Sequence, residues 1–86
     1  LNRYDEVLQC YDKIIELDPT KYMYYKKKID ILVKLKRYDE ALLYCNKKIE
    51  LYPKDKWPYS KKIDILDKLN RYDEVLQCYD KIIELD

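Results

Sequence analysis

The chain has 86 residues, of which 48% are hydrophobic, so the sequence predicts one small domain with a modest core. Charged residues make up 41% of the chain but nearly cancel, since 18 Lys and Arg oppose 17 Asp and Glu. This balance argues against nucleic-acid binding, and the absence of glycine excludes a glycine-rich phosphate loop.

Metal, disulfide and membrane chemistry are also disfavoured by composition. The chain has no histidine, and its three cysteines, Cys10, Cys45 and Cys78, stand far apart without a CxxC pair. We therefore expect no metal site, no cofactor and reduced thiols in the cytoplasm. There is no apolar run of membrane length, no secretory leader and no initiating Met, so we expect no membrane association and interpret the sequence as an excised or engineered segment.

The predicted elements are short amphipathic helices. Apolar side chains recur at spacings of three and four in both 24–35 and 38–51, as on one stripe of a helix. Pro19 and Pro53 follow two such patterns, and helices tend to end before a proline. In chain order the predicted helices are about 3–17, 21–35, 37–51, 55–69 and 71–85.

The junctions between paired helices carry Asn2, Lys36 and Asn70. Asparagine caps a helix start or tolerates a left-handed turn. Lysine does neither well, so the junction at Lys36 is predicted to be less sharply defined than the other two.

The sequence repeats with a period of 34 residues. Residues 1–18 and 35–52 agree at ten of eighteen positions, and residues 20–34 and 54–68 agree at eight of fifteen. A fixed period without insertions is the signature of a helical repeat array. The loops between the predicted helices are short, so successive helices should be antiparallel neighbours.

At these residues the chain resembles the tetratricopeptide repeat (TPR) family, whose unit is a 34-residue helix–turn–helix with a proline after the second helix. The segment RYDEALLYCNKKIELYP looks like that second helix, with Ala41 at the family's alanine. Tyr25 and Tyr59 match the tryptophan of the first helix. Bulkier residues replace small ones at Lys28–Ile29, Lys62–Ile63 and in the second helices, which should alter the curvature of the array.

The resemblance implies an all-α fold, an antiparallel helix-pair solenoid with five helices in B-A-B-A-B order. The whole chain, 1–86, is then one array: a half repeat at 1–19, a full repeat at 20–53 and a second full repeat at 54–86. The chain starts with a second-type helix, and it lacks the polar helix that commonly ends such arrays.

Residues 1–18 and 69–86 are identical, although surface positions in natural repeats usually drift. The identity favours an engineered or sequence-averaged repeat protein, with a recent natural duplication as the alternative. Because segment 69–86 of one molecule could take the place of segment 1–18 in another, the sequence also predicts head-to-tail self-association.

By resemblance, ligands bind the concave face, which the first helix of each pair lines. The family binds peptide segments of other proteins there. The inward positions that the resemblance implies, here as candidate peptide-binding residues, are Met23, Lys26, Asp30, Val33 and Lys34 in one repeat and Trp57, Ser60, Asp64, Asp67 and Lys68 in the next.

Each of these features also has a structural interpretation. Trp57 could anchor a ligand or pack on the preceding helix. The lysines could bind a carboxylate, but Asp30 and Asp64 would repel an acidic peptide terminus, so the family's carboxylate clamp does not transfer. The eleven tyrosines are expected to pack in the core and between repeats rather than stack on bases.

No catalytic residues are expected. The Asp-Glu pairs at 5–6, 39–40 and 73–74 fall in the first turns of predicted helices, where negative charge favours the helix dipole, and an arginine stands beside each pair. The sequence therefore predicts a non-enzymatic interaction scaffold that binds a protein or peptide. The alternative is a purely structural repeat module that self-associates without a cognate ligand.

Overall fold

A computed structural model describes residues 3–85, and its regular elements are five α-helices. The all-α class is thereby confirmed, and each helix begins and ends within two residues of its predicted bounds. The helices are α1 (Arg3–Leu17), α2 (Tyr22–Lys34), α3 (Tyr38–Leu51), α4 (Trp57–Lys68) and α5 (Tyr72–Leu85).

The chain divides into two compact units, Leu1–Tyr44 and Cys45–Asp86, with the division inside α3. In unit 1, α1 packs on α2, and in unit 2, α4 packs on α5. The apolar stripes predicted from the sequence form the cores. The buried apolar side chains of unit 1 include Leu8, Tyr25, Ile29, Leu32, Ala41 and Leu42, and those of unit 2 include Cys45, Ile63, Ile65, Leu66, Val75 and Cys78.

Helices α2 and α4 end in the same way. Lys36 and Asn70 each adopt a left-handed conformation, with φ of 60° and 58°. The N–H of Lys36 donates to the carbonyl of Val33, and the N–H of Arg37 donates to that of Leu32. These two bonds form a Schellman motif, and the same pair of bonds follows α4.

The prediction of a poorly defined junction at Lys36 is wrong. The Schellman hydrogen bonds satisfy the last carbonyls of α2 whichever residue occupies the turn, so a lysine is held in the left-handed region there. Asn2 lies outside the described residues.

Helix α4 begins two residues later than predicted because Asp55 acts before it as a side-chain acceptor. Its Oδ1 accepts a hydrogen bond from the N–H of Trp57 at 3.0 Å. Pro58 follows in the first turn, where a missing N–H leaves no helical bond unmade.

The loop between α1 and α2 is closed by Asp18. Its Oδ1 accepts hydrogen bonds from the N–H and the hydroxyl of Thr20, at 3.1 and 2.5 Å. These bonds lower the pKa of Asp18, because they favour the charged carboxylate.

The acidic pairs have the structural role predicted for them. They lie in the first turns of α1, α3 and α5. Arg37 forms two hydrogen bonds to Glu40, both 2.9 Å, and one to Asp5 of α1 at 2.9 Å. Arg71 binds Glu74 in the same manner and lowers the pKa of that carboxyl.

Candidate functional site

Five of the candidate residues lie along α2. Met23, Lys26, Asp30 and Lys34 are exposed, and Val33 is half-buried. Spacings of three and four residues place them on one side of the helix. The row carries two lysines against one aspartate, so its charge is +1, and the Lys34 ammonium lies 5.7 Å from the ring centre of Tyr4 on α1.

The other five lie along α4 in unit 2. Ser60, Asp64, Asp67 and Lys68 are exposed, whereas Trp57 is half-buried. Two aspartates against one lysine give this row a charge of −1. The two rows therefore present opposite charge, each on its own helix.

Trp57 has several neighbours within unit 2. The ammonium of Lys48 on α3 lies 5.5 Å from its ring centre, and that of Lys61 lies 5.7 Å away. Both distances fall within the range of cation–π attraction. The indole thus packs beside the preceding helix while part of its surface stays accessible.

Sequence reasoning missed two buried lysines, of which Lys28 in unit 1 is the first. Its ammonium forms an ion pair with Asp12 of α1 and donates a hydrogen bond to the Tyr44 hydroxyl at 2.6 Å. It also lies 3.8 Å from the centre of the Tyr44 ring. The Tyr44 ring is in turn 6.3 Å from that of Tyr25, so α1, α2 and α3 meet in one polar and aromatic cluster.

The second buried lysine is Lys48, whose side chain is only 1% exposed. It forms an ion pair with Asp55, the same residue that accepts from the N–H of Trp57. A buried ammonium is tolerated only where such a partner compensates its lost hydration.

The sequence held a signal for both lysines. In the 34-residue period, Lys48 stands where Ile14 and Ile82 stand, and Lys28 falls on the close-packed position of the first helix. For Lys48, a charged residue in an otherwise apolar column indicates either a shifted helix or a buried pair. For Lys28, whose equivalent Lys62 is also a lysine, the signal is the close-packed position alone.

The tyrosine prediction is wrong for four residues. Tyr25 is buried and six tyrosines are half-buried, but Tyr4, Tyr22, Tyr72 and Tyr79 are exposed. Two of these lie on α5, where part of an apolar stripe faces solvent. The exposed large apolar side chains of α5 are Tyr72, Leu76, Tyr79 and Ile83.

Unit 2 contains a cavity of about 490 Å³ between its helices. Ile49 of α3, Tyr59 and Lys62 of α4, and Glu74 and Cys78 of α5 line it. The pKa of the Cys78 thiol is raised, mainly because the thiol is buried. Nearby Lys62 lowers it and Glu74 raises it, but burial has the larger effect. A smaller groove of about 280 Å³ in unit 1 runs along the Asp12–Lys28 pair and Arg37.

Two further observations bear on the chemistry of residues 3–85. Within this range, His, Cys, Asp and Glu residues do not gather into a group of three that could hold a metal ion. No helix in the described part of the chain has the length and apolar character needed to cross a bilayer.

Comparison with known proteins agrees with this architecture. A family model described as a tetratricopeptide repeat matches residues 30–55. A search of curated protein sequences gave no match.

Solved structures resemble the fold over nearly its whole length. The MSR-1 form of MamA superimposes with a TM-score of 0.86 at 23% identity, covering 98% of this chain and 48% of MamA. The AMB-1 form of MamA gives 0.85 at 24% identity, with 98% and 49% covered. The chain thus spans about half the length of the MamA structures.

The first TPR domain of Spaghetti (RPAP3), bound to the HSP90 peptide SRMEEVD, superimposes with a TM-score of 0.83 at 25% identity. The superposition covers 98% of this chain and 67% of that domain. The fold is therefore that of a helical repeat protein. The matched repeat at residues 30–55 and the fold both agree with the resemblance to the tetratricopeptide repeat family.

Proposed function

We propose that the chain is a non-catalytic protein-interaction scaffold that binds a peptide segment through the exposed rows of its first-type helices. The observation that carries this proposal is the pair of exposed rows on α2 and α4, which combine long cations and carboxylates with Met23 and Trp57. A solved TPR structure of the same fold holds a peptide, which supports this class of ligand.

The charges of the rows define the partner. The α2 row is net positive and the α4 row net negative, so a peptide of mixed charge fits better than a purely acidic one. Asp30 and Asp64 oppose an acidic terminus, and we expect SRMEEVD itself to bind weakly. The free thiols support a reducing, cytoplasmic setting for this interaction.

A peptide-display selection against the chain tests this proposal, with selected peptides titrated by calorimetry so that the Trp57→Ala variant can be measured as well. Lys26→Ala and Trp57→Ala should weaken binding about tenfold or more, since aromatic anchors and charged hydrogen bonds dominate such interfaces. Lys13→Ala is the matched control, because Lys13 is exposed on α1, which carries neither row. Equal losses in all three variants, or selection of acidic peptides only, would contradict the proposal.

A second candidate function, end-to-end self-association, is supported by the burial of the two identical segments. Leu8 is 5% exposed in α1, whereas the identical Leu76 is 63% exposed in α5. Tyr11 packs against Tyr24 of α2, with ring centres 5.8 Å apart, whereas its duplicate Tyr79 is half exposed. The exposed stripe of α5 thus repeats a surface that α2 covers in unit 1.

In this second candidate, α5 of one molecule takes the position of α1 beside α2 of another, and the identity of the segments supports an engineered origin. Light scattering over a wide concentration range measures the molar mass. Leu76→Lys should abolish a concentration-dependent rise in mass, and Gln77→Lys, on another side of α5, should leave it unchanged. A constant monomer mass in the unmodified chain would refute self-association.

A further inference from the structure

The cavity of unit 2 and the cluster around Lys28 in unit 1 occupy equivalent positions of the 34-residue repeat. Lys62 corresponds to Lys28, Tyr59 to Tyr25 and Cys78 to Tyr44. The largest difference in side-chain size among these pairs is the cysteine in place of a tyrosine. The cavity therefore lies where the preceding repeat has an aromatic ring and this repeat has a cysteine.

Unit 1 shows what the ring does when it is present. The Tyr44 hydroxyl accepts a hydrogen bond from the Lys28 ammonium, and the ring lies beside that of Tyr25. In unit 1 the groove is lined by Asp5, Asp12, Lys28 and Arg37, and the ring of Tyr44 lies against Lys28.

Unit 2 keeps the groups that receive the ring. Tyr59 and Ile49 supply an aromatic and an apolar wall, and Lys62 lies at the cavity with its ammonium available as a donor. Tyr59 is half-buried where Tyr25 is buried, which agrees with the missing neighbour. Among residues 3–85, Lys62 has neither a hydrogen bond nor an ion pair within 4 Å, in contrast to Lys28.

The charge of the lining selects a neutral ligand. Lys62 and Lys81 are balanced by Glu74 and Asp80, so a strongly charged molecule gains little net attraction. An uncharged ring with one polar group at its edge satisfies both the apolar walls and the lysine.

We propose that the unit 2 cavity binds a 4-hydroxyphenyl group, with the hydroxyl accepting a hydrogen bond from Lys62 and the ring packing on Tyr59. The group takes the place that Tyr44 fills in unit 1. The site is separate from the exposed row of α4, because Lys62 and Tyr59 are not among the residues of that row. Its chemistry is shared by the tyrosine side chain of a partner and by a free small phenol.

The experiment is a heteronuclear NMR titration with p-cresol, with toluene as the ligand that lacks the hydroxyl. We expect one millimolar-range site, the range that so few ligand atoms allow, with the largest shifts at residues around Cys78. Toluene should bind about tenfold more weakly, as expected for the loss of one hydrogen bond to a charged donor. Equal binding of both ligands, or no binding of p-cresol, would overturn the proposal.

Variants supply the matched controls. Cys78→Tyr should fill the cavity and abolish binding, and Tyr44→Cys should open the equivalent position in unit 1 and raise the stoichiometry from one to two. Lys62→Met keeps the side-chain length and should remove the preference for p-cresol over toluene. Unchanged binding in a folded Cys78→Tyr variant would refute the assignment. If Cys78→Tyr does not fold, an unchanged preference for p-cresol in Lys62→Met would refute it instead.

The source of the ring is decided by titration with N-acetyltyrosinamide. Binding comparable to that of p-cresol assigns the site to the tyrosine side chain of a protein partner. Binding of p-cresol alone assigns it to a free phenol, because the backbone atoms of tyrosine are then excluded.

Discussion

The ion pair between Lys48 and Asp55 should be far more sensitive to loss of the carboxylate than to loss of the ammonium. Lys48 is 1% exposed, while the Asp55 side chain is 34% exposed. Removing Asp55 leaves a buried ammonium without its ionic partner, whereas removing Lys48 leaves a carboxylate that water reaches. The two halves of one pair therefore have unequal consequences.

The magnitudes follow from the two contacts of Asp55. Removing the carboxylate from a buried pair costs about 3 kcal/mol here, the lower end for such pairs because Asp55 is partly hydrated and the Lys48 ammonium keeps its contacts with the rings of Tyr52 and Trp57. Losing the hydrogen bond to the N–H of Trp57 adds about 1 kcal/mol, as for a typical intramolecular hydrogen bond. We expect Asp55→Ala to lower the free energy of unfolding by about 4 kcal/mol and Asp55→Asn, which keeps the acceptor, by about 3 kcal/mol.

Lys48→Ile is the matched variant, because isoleucine stands at the equivalent positions 14 and 82. It should leave the free energy of unfolding within about 1 kcal/mol of the unmodified chain, since apolar replacement of a buried charge is often neutral or stabilising. In the Lys48→Ile background, Asp55→Ala should cost about 1 kcal/mol for the loss of the hydrogen bond to Trp57, which gives a coupling of about 3 kcal/mol.

Urea unfolding followed by circular dichroism and by the fluorescence of Trp57, which adjoins the pair, measures all four states of this cycle. An Asp55→Ala cost under about 1 kcal/mol, or an equal cost in both backgrounds, would refute the reasoning.

Three other predictions concern the left-handed turns, the reactivity of the thiols and the loss of stability at acidic pH. Lys36→Asn should raise the free energy of unfolding by about 0.5–1 kcal/mol and Asn70→Lys should lower it similarly in urea unfolding, because asparagine tolerates the left-handed region better than lysine; changes of the same sign would contradict this. A thiol reagent should modify Cys10 rapidly and Cys45 slowly in the native chain, since Cys45 is buried, and all three cysteines after unfolding; fast modification of Cys45 would contradict this prediction. The pKa values of Asp18 and Glu74 are lowered in the folded state, so both carboxylates stabilise the fold above the ordinary carboxyl pKa, and this stabilisation is lost as the pH falls through the folded values. In urea unfolding between neutral and acidic pH, Glu74→Gln should make the free energy of unfolding fall less steeply with decreasing pH. An unchanged slope would contradict the contribution of the Arg71 contact.

The helices could be predicted closely from the sequence because their signals are local. The apolar stripe of α3, which includes Leu42 and Cys45, and Pro53 beyond its end are all visible in the linear order of residues. The 34-residue period places the same pattern at α1 and α5, so the prediction of each helix is supported by the helices at equivalent positions of the repeat.

The ion pair of Lys48 could not be derived in the same way, because its carboxylate partner does not follow the period. Asp55 stands where Lys21 stands in the preceding repeat, so nothing in the column predicts an acid there. The conformation of Lys36 depends likewise on hydrogen bonds to carbonyls of the preceding turns rather than on the lysine itself. The cavity is lined by Cys78, which stands where the preceding repeat has Tyr44, and this difference in size takes effect only when three helices are in place.

The identical segments within α1 and α5 give the chain an internal standard for amide hydrogen exchange. Residues 4–17 and 72–85 share every side chain and therefore the same intrinsic exchange rates and helix propensity. Any difference in protection between corresponding amides, such as those of Leu8 and Leu76, reports the contribution of tertiary packing alone. Few natural helices allow packing to be separated from intrinsic helix stability without a reference peptide. Here α1 and α5 are both measured in one sample under one set of conditions.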